Sequence, residues 1–508
     1  MDKMIIAYDL GTGGVKASVF DLNGVEKDFS FYSYNTSYPE GNMHEQKPAD
    51  WWNGIIKSTK KLLTDEYRGK IAALAISGHS LGVVPLDKEG NLLRENTPIW
   101  SDTRASAQSK SFFKVIDYEN WYMTTGNGFP PECYSLFKMM WYKEHEPEMF
   151  DKVYKIIGTK DYCNYKLTGI MCTDHSYASG SGAYDLLRMD YRADFIEAAG
   201  LDPSLFPEIL ASDSEVGTLT SEAAELLGLS TEVKVICGGV DNSCMALGAR
   251  GIEDGRLYTS LGSSSWIALT SHEPVLNSSN RTFVFAHVIE GMYASATSIF
   301  AAGSSLKWAR NTVGMNLVEQ EESGGKDAFV RMNELAAESP VGANKLIFNP
   351  SLAGGSMIEE SPLIKGGFVG LTLSHSQSDM IRSVFEGIAL NLRFALEILA
   401  KTSKLAGSML MVGGGSKSDF WRQMFADIFN MEILKTNIDQ NAASLGAAAL
   451  AAKGAGLWKD YSIVDKIHHL QTAEVPEPGA VGKYDKIYPK FRQIAHYMSE
   501  SGKILAED

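Results

Sequence analysis

The chain has 508 residues, of which 44% are hydrophobic and 21% charged, and its formal net charge is -15. This length exceeds what one hydrophobic core serves, so we expect two or three domains. The acidic balance, which no basic run interrupts, argues against DNA or RNA as a partner because it repels the phosphate backbone.

The chain opens on three predicted antiparallel strands. The runs MIIAYDL and VKASVFDL flank a turn at Gly11–Gly14, and Asn23-Gly24 leads into the third strand, which is a strong hairpin signal. The glycine turn lets backbone N–H groups approach phosphate oxygens, and Lys16 adds a cation. Asp9 ends the first strand, where a carboxylate beside phosphates suits Mg²⁺. The plain alternative is a tight hairpin turn without a ligand.

A G-x-S-x-G pattern at Gly78–Gly82 matches the nucleophile elbow of hydrolases, with Ser80 as the nucleophile. That motif needs a strand that turns directly into a helix. The following VVPLDKEGN predicts a strand and a hairpin, so we reject the hydrolase interpretation. His79 either faces a polar ligand or is a structural histidine.

The middle of the chain predicts a duplicated architecture. A helix is expected at 135–144, and the run VKVICGGVD predicts a buried strand with Asp241 at its tip. From Gly255, RLYTSLGSSSWIALTS repeats the strand–turn–strand pattern of the N-terminus, and its Ser/Gly turn is a second candidate phosphate loop. Two such units predict two related halves with a ligand between them. We place the boundary near Ala246.

The C-terminal part predicts a long helix and a glycine turn. Apolar residues at helical spacing over 381–392 indicate a helix, capped by Ser376 or Ser378. The run MLMVGGGSKSDFWRQMFADIF predicts a strand, three glycines and a helix, against which a nucleotide can lie. With Glu432, the glycines also allow a degenerate dinucleotide-binding motif of an oxidoreductase. The last ~25 residues predict a surface helix with a frayed end.

Many ordered segments resemble the FGGY carbohydrate kinases, a branch of the actin-like ATPase superfold, and its xylulokinase-like members most closely. The segments are DLGTGGVKASVFD, MHEQKPADWW, TPIWSDTRA, KDYCNYKLTG, GGVDNS, SVFEGIALNLR, GGGSKSDFWRQMFADIF and ASLGAAALAAKGAG. The resemblance implies an α/β fold of two duplicated RNase H-like domains with an active-site cleft between them. We divide the chain into an N-terminal sugar-binding domain at 1–246, a C-terminal ATP-binding domain at 247–485 and a C-terminal surface helix or tail at 486–508.

The resemblance also implies roles for individual residues. Asp241 is the expected general base, and Asp9 is the expected Mg²⁺-organising carboxylate. The expected ATP-binding residues are Gly11, Thr12, Gly13, Lys16, Ser260, Gly262, Ser263, Ser264, Gly414 and Gly415. The expected sugar-binding residues are His79, Trp100, Asp102, Arg104, Asp241 and Asn242. These residues imply transfer of a phosphoryl group from ATP, with Mg²⁺, to a hydroxyl of a small sugar.

The sugar segment departs from the family pattern. This chain reads SGHSLG where xylulokinases usually read SGQMHG, so Leu81 stands in place of their histidine. We expect a xylulose-like ketose, polyol or sugar acid, with kinases of fuculose or ribulose, gluconate or erythritol as alternatives. Glycerol is disfavoured because the Arg-Glu pair of glycerol kinases is missing. A non-catalytic sugar sensor and an NAD-dependent oxidoreductase are the alternatives from other classes.

The cysteines and the hydropathy pattern bear on location and partners. The five cysteines are odd in number and form no C-x-x-C pair, which favours a reducing compartment. No stretch reaches the ~20 apolar residues of a bilayer span. We therefore expect a cytoplasmic protein whose partner is a small sugar or polyol, with no nucleic acid and no membrane, and we leave a homodimer open.

Overall fold

The computed structural model describes residues 3–401 and 403–507, which form two halves, each built on a mixed sheet. In chain order, the strands of the first half are β1 (Met4–Gly11), β2 (Gly14–Asp21), β3 (Glu26–Ser33), β4 (Glu45–Gln46), β5 (Ile71–Gly78), β6 (Val84–Leu86), β7 (Thr97–Pro98), β8 (Lys155–Ile157), β9 (Cys172–Asp174), β10 (Tyr184–Asp185), β11 (Asp190–Tyr191), β12 (Glu208–Leu210), β13 (Glu215–Thr218) and β14 (Lys234–Val240). Its helices are α1 (Pro48–Leu62), α2 (Ser106–Phe112), α3 (Tyr118–Thr125), α4 (Ser135–His145), α5 (Pro147–Phe150), α6 (Thr159–Thr168), α7 (His175–Ala178), α8 (Ala193–Ala198), α9 (Ser221–Leu227) and α10 (Asp241–Gly248).

The second half follows α10. Its strands are β15 (Leu257–Leu261), β16 (Ser265–Ser271), β17 (Phe283–Ala286), β18 (Tyr293–Ile299), β19 (Ile347–Asn349), β20 (Gly367–Val369), β21 (Ser408–Val412), β22 (Glu432–Thr436) and β23 (Leu470–Glu474). Its helices are α11 (Gly303–Asn311), α12 (Met315–Glu322), α13 (Ala328–Glu338), α14 (Gln377–Ala400), α15 (Asp419–Phe429), α16 (Ala442–Gly454), α17 (Ile463–Ile467) and α18 (Pro478–Ile504).

The two main sheets share the arrangement of their central strands. The first has the strand order β13-β14-β5-β1-β2-β3, and the second has the order β17-β18-β16-β15-β21-β22-β23. In each, three central strands run parallel, namely β14, β5 and β1 in the first and β22, β21 and β15 in the second. Antiparallel strands continue the sheet on both sides. The predicted duplicated α/β architecture is confirmed.

The central strands are apolar because both faces of each sheet are covered. In β1 every residue from Met4 to Tyr8 is buried, and β5 and β14 are nearly as apolar. Continuous hydrophobic runs are typical of parallel strands that have helices on both faces. The polar exceptions therefore stand out, and Asp9 at the end of β1 is one of them.

Helices α10 and α16 join the halves. Helix α16 comes from the second half but packs on β1, β5 and β14 of the first sheet and against α10. Glycines allow this close crossing, since an added Cβ at Gly248 or at Gly446 would overlap a backbone carbonyl of the other helix. The expected boundary at Ala246 lies inside α10. The division at that residue remains a prediction.

Two C-terminal helices refine the sequence expectations. Ser376 caps α14, because its hydroxyl accepts a hydrogen bond from the Asp379 N–H while the Asp379 carboxylate accepts one from the Ser376 N–H. The surface helix or tail expected at 486–508 lies within α18, which begins at Pro478 and ends at Ile504. One face of α18 is buried through Tyr484, Tyr488 and Phe491, so the segment packs against the second half over most of its length.

Among the residues that the structure describes, none of the helices combines the length and the apolar character that crossing a bilayer requires.

Candidate active site

Asp9 and Asp241 lie at the same edge of the first sheet. Strands β1 and β14 both run parallel to β5, and Asp9 and Gly239 are both paired with Ser77 of β5. Asp241 follows two residues later, as the first residue of α10. Because the carboxyl ends of parallel strands meet at one edge, the topology brings together two carboxylates that are 232 residues apart in sequence.

Both carboxylates have a raised pKa. Each is partly exposed but lies in a recess among protein atoms. Burial raises the pKa of Asp9, while the Ser77 hydroxyl, at 3.3 Å from Oδ1, and the charge of Lys16 act in the opposite direction. Burial and the neighbouring charge of Asp9 raise the pKa of Asp241 to about 7. A carboxylate with this pKa can accept a proton near neutral pH.

The turn between β1 and β2 contains the first expected phosphate loop. Gly11, Thr12 and Gly13 are at least partly exposed, so their backbone remains accessible to a ligand. The Thr12 carbonyl accepts a hydrogen bond from Gln46 at 2.7 Å, which anchors the turn. Lys16 is not free in this conformation, because its Nζ lies 2.7 Å from Glu26 Oε1.

The turn between β15 and β16 occupies the equivalent place in the second half. Gly262 and Ser263 are exposed, Ser264 is partly exposed, and Ser260 is buried at the end of β15. The carbonyls of the turn accept hydrogen bonds from the start of α11. The Gly303 N–H donates to Gly262, and the Ser304 N–H and hydroxyl donate to Ser263, at 2.9 to 3.0 Å. The loop is therefore held rigidly.

The second loop and the glycine turn after β21 share one cavity. Its volume is about 610 Å³. Its lining includes Gly262, Ser263, Gly414, Gly415, Leu306, Lys307, Asn333, Lys417 and Trp421. A side chain at Gly414 would meet open space, whereas at Gly415 it would lie 2.9 Å from Leu261 and from the Trp421 ring. The structure thus unites four of the ten expected ATP-binding residues in a pocket of nucleotide size.

The sugar segment after β5 is largely buried. The His79 ring is 1% exposed, and neither of its nitrogens has a hydrogen-bond partner among the described residues. Burial, with the charge of Lys138, lowers the pKa of His79 to about 4, so the ring is neutral. Trp100 is 42% exposed and donates its indole N–H to the Thr12 hydroxyl at 3.0 Å. This bond ties the TPIWSDTRA segment, which contains Trp100, to the first phosphate loop.

Asp102 and Arg104 form a buried ion cluster. The guanidinium of Arg104 bonds Asp102 at 2.7 Å and Glu45 at 2.7 Å. Asp102 also accepts the N–H of His44 at 2.7 Å and is fully buried. These bonds occupy both side chains and link the TPIWSDTRA segment to β4 through Glu45, and direct contact of either residue with the sugar stays a prediction. Asn242 is partly exposed beside Asp241.

Comparisons with known proteins match both halves of this fold. Residues 4–248 match the N-terminal domain of the FGGY family of carbohydrate kinases, and residues 257–455 match its C-terminal domain. The chain belongs to the FGGY family of carbohydrate kinases. It is therefore a phosphotransferase that acts on a sugar hydroxyl, and the two-domain actin-like ATPase fold expected from the sequence is confirmed.

Individual relatives of this FGGY kinase cover the chain almost completely. It is 30% identical to a xylulose kinase of Staphylococcus epidermidis over an alignment of 514 residues. This alignment covers 100% of this chain and 98% of that protein. The solved structure of a ligand-bound xylulose kinase from Lactobacillus acidophilus matches with a TM-score of 0.89 and 26% identity, over 99% of this chain and 100% of that one. A gluconate kinase from the same organism matches with a TM-score of 0.88 and 26% identity, at the same coverage.

Sequence reasoning missed Lys138, which connects the SGHSLG and TPIWSDTRA segments of this FGGY kinase. Its Nζ donates to the carbonyls of Leu81 at 3.0 Å and Ile99 at 2.7 Å. Burial lowers the pKa of Lys138 to about 8. Leu81 has a left-handed backbone with φ 62°, which is costly for a residue other than glycine. The sequence offered one signal for this role, namely a lysine among apolar residues in the helix predicted at 135–144.

The residues at the sheet edge fit a Mg²⁺–nucleotide complex. The hydrogen bond from Ser77 to Asp9 uses one carboxylate oxygen, and the group remains partly exposed. Across residues 3–401 and 403–507, no group of three or more His, Cys, Asp or Glu side chains could by itself hold a metal. This donor set suits Mg²⁺, which takes one or two carboxylates and obtains its other ligands from phosphates and water.

Proposed function

We propose that the chain transfers the γ-phosphoryl group of MgATP to a hydroxyl of a small ketose, polyol or sugar acid, with a xylulose-like substrate favoured. The observation that carries this proposal is the convergence of Asp9 and Asp241 at one sheet edge, with glycine- and serine-rich loops in equivalent turns of both halves. Phosphoryl transfer depends mainly on positioning and on charge stabilisation, and such a site supplies both.

For the nucleotide, we infer that the base and ribose occupy the cavity beside Gly414. The phosphates then extend between the β15–β16 turn and the β1–β2 turn, where backbone N–H groups can approach them. Lys16 can join them by exchanging Glu26 for a phosphate oxygen. Asp9 would hold Mg²⁺, which when bound neutralises part of the phosphate charge.

For the proton, we infer that Asp241 takes it from the attacking sugar hydroxyl. The raised pKa, about 7, matches a base that works near neutral pH. Asp9 carries a like charge nearby, so Asp241 binds a proton more tightly than an isolated carboxylate does. His79 and Trp100 lie in the segments that we expect to line the sugar pocket.

The substrate class rests on the relatives. The names of the similar proteins include xylulose kinase and gluconate kinase, and this chain covers almost their whole length. Leu81 replaces the histidine of the xylulokinase pattern and cannot form a side-chain hydrogen bond. A substrate with fewer hydrogen-bonding groups near Leu81 therefore also fits the proposal. Kinases of fuculose or ribulose, gluconate or erythritol therefore stay as alternatives within the same proposal.

A screen of ADP release by the purified protein tests the proposed function. The panel contains pentuloses, deoxyketoses, tetritols, aldonates and glycerol, each with MgATP. We expect sustained turnover with at least one ketose, tetritol or aldonate and little with glycerol. Sugar binding by calorimetry without any ADP release would support the non-catalytic sensor. Turnover with glycerol alone would contradict our interpretation of the SGHSLG segment.

A further inference from the structure

Helix α6, which contains most of the KDYCNYKLTG segment, places the buried ammonium group of Lys160 beside β14. Lys160 is fully buried, and its Nζ lies 2.6 Å from Asp161 Oδ1 and 2.9 Å from Asp174 Oδ1. Burial alone would lower the pKa of Lys160, but the two carboxylates outweigh it and raise this pKa well above its ordinary value. Lys160 is therefore a permanent ammonium ion, and it anchors Asp174.

A chain of hydrogen bonds connects Asp174 to the start of α10. Its Oδ2 accepts hydrogen bonds from the hydroxyl and the N–H of Ser176, and from the hydroxyl of Ser212 at 2.7 Å. The Ser176 Oγ in turn accepts the N–H of Val240 at 2.9 Å. Val240 is the N-cap residue of α10, and Asp241 comes directly after it.

The same cluster holds an irregularity in β14 just before Asp241. The pairing of β14 with β5 shifts between Ile236 and Gly239, and Gly238 has φ 74°. The Cys237 carbonyl accepts hydrogen bonds from Lys160 at 3.3 Å and from Asn164 at 2.7 Å. A bulge changes the direction of the residues that follow it, and side-chain bonds from α6 help to hold this one. Lys160 and Asn164 supply those bonds.

We propose that Lys160, Asp174 and Ser176 form a positioning network that sets the orientation of the Asp241 carboxylate. This inference rests on the proposed role of Asp241 as the base. Ser176 touches Val240 and does not touch substrate, so it is a positioning residue. A purely structural network would affect stability alone, whereas a positioning network also affects the rate of the chemical step, because small displacements of a catalytic group are costly.

The test compares two serines that bond the same carboxylate oxygen. Ser176→Ala removes the link to Val240, whereas the matched control Ser212→Ala removes a hydrogen bond to Asp174 without touching Val240. Ser176→Ala should lower Tm more than Ser212→Ala does, because it also leaves the Val240 N–H without its acceptor. We expect Ser176→Ala to lower kcat about 10-fold, with KM for ATP and for sugar within about twofold. Ser212→Ala should keep kcat within about twofold of the native enzyme.

The outcomes separate this inference from the proposed function. Normal kcat in Ser176→Ala, or equal kcat losses in the two variants, would overturn the network's positioning role. If Ser176→Ala does not fold, Ser176→Cys carries the same expectation with a smaller loss, because a thiol bonds weakly at the same place. Normal kcat in that variant would also overturn it. Failure of the proposed function would give different results. The native protein would show no turnover, or the Asp241→Asn variant would keep full kcat.

Discussion

At the scale of single residues, the pKa of Asp241 links the candidate mechanism to stability. The value of about 7 lies above the ordinary 3.8, so the folded protein holds a proton that the unfolded chain releases. This stabilising difference is fully present below about pH 4 and is lost as the pH rises through about 7. Ionised Asp241 also faces the charge of Asp9. Near pH 8 the native protein is therefore less stable than one with a neutral group there.

Asp241→Asn should separate activity from stability. Asn cannot accept the proton, so kcat should fall by ~10²- to 10⁴-fold. Asn can still accept the Asn242 N–H, which lies 2.8 Å from the native Oδ1. The Tm should equal or exceed that of the native protein at pH 8, with a smaller difference at pH 5. Melting curves at both pH values check this, and near-normal kcat or a clearly lower Tm at pH 8 would contradict it.

Gly414 is the better position for testing the nucleotide site. An added Cβ there meets no heavy atom within 4 Å, and Gly414 lines the cavity. We expect Gly414→Val to fold normally, to raise KM for ATP by about 10-fold and to leave KM for sugar unchanged. Steady-state kinetics with each substrate varied in turn check this.

Gly415→Val is the matched comparison. Its side chain would enter packed space 2.9 Å from Leu261 and Trp421, so its main effect should be a lower Tm. Equal effects of Gly414→Val on both KM values would place the nucleotide elsewhere.

At the scale of elements, the crossing of α10 and α16 joins the two halves. A Cβ at Gly446 would overlap the carbonyl oxygen of Cys244. Most of the remaining residues of α16 are alanines and leucines that are fully or almost fully buried. Small residues allow the helix backbones to approach closely, and the apolar side chains then pack against β1, β5 and β14. The crossing has little room for any added atom.

Gly446→Ala should destabilise the protein by about 1 to 3 kcal/mol, because the added methyl group overpacks the crossing. Gly482 in α18 is the control, since an added Cβ there meets open space. Gly482→Ala should be neutral or stabilise by about 0.5 to 1 kcal/mol, because Ala favours the helix. Urea unfolding measures both, and a neutral Gly446→Ala would show that the helices can move apart.

At the scale of the whole molecule, the candidate site is divided between the halves. Asp9, Asp241 and the β1–β2 turn belong to the first half, whereas the β15–β16 turn and the cavity beside Gly414 belong to the second. Specific bonds also cross between the halves, including Asn441 to Glu26 at 3.0 Å. A reaction that needs both parts must bring them close and exclude water, which suppresses hydrolysis of ATP.

Binding of both ligands should therefore draw the halves together. Small-angle scattering with sugar and a non-hydrolysable ATP analogue should give a smaller radius of gyration than the free protein. Each ligand alone, as a control, should give a smaller change. An unchanged radius with both ligands at saturation would contradict closure.

Local strands and helices, and the family, could be predicted from sequence patterns. Hydrophobic runs, an Asn-Gly hairpin and an apolar helical stripe depend on neighbours along the chain, so β1 to β3, α4 and α14 agree with their predictions. The two strand–turn–strand units likewise predicted the duplicated sheets, since a repeated pattern folds in the same way in both halves. Asp9 and Asp241 could also be predicted as candidates, because a carboxylate at the end of an apolar strand departs from the hydrophobic pattern of that strand.

The contacts of each candidate residue could not be predicted from the sequence, because they depend on the packing of distant segments. Lys16 pairs with Glu26, and Asp102 and Arg104 are enclosed with Glu45. Both Gly414 and Gly415 line the cavity, but only a side chain at Gly415 would meet packed neighbours. These partners come from other strands and loops, so no local pattern reveals them. The pKa of Asp241 is raised by burial within the fold and by the charge of Asp9. Such environments arise only when segments far apart in sequence pack together, because electrostatic and steric effects act through space.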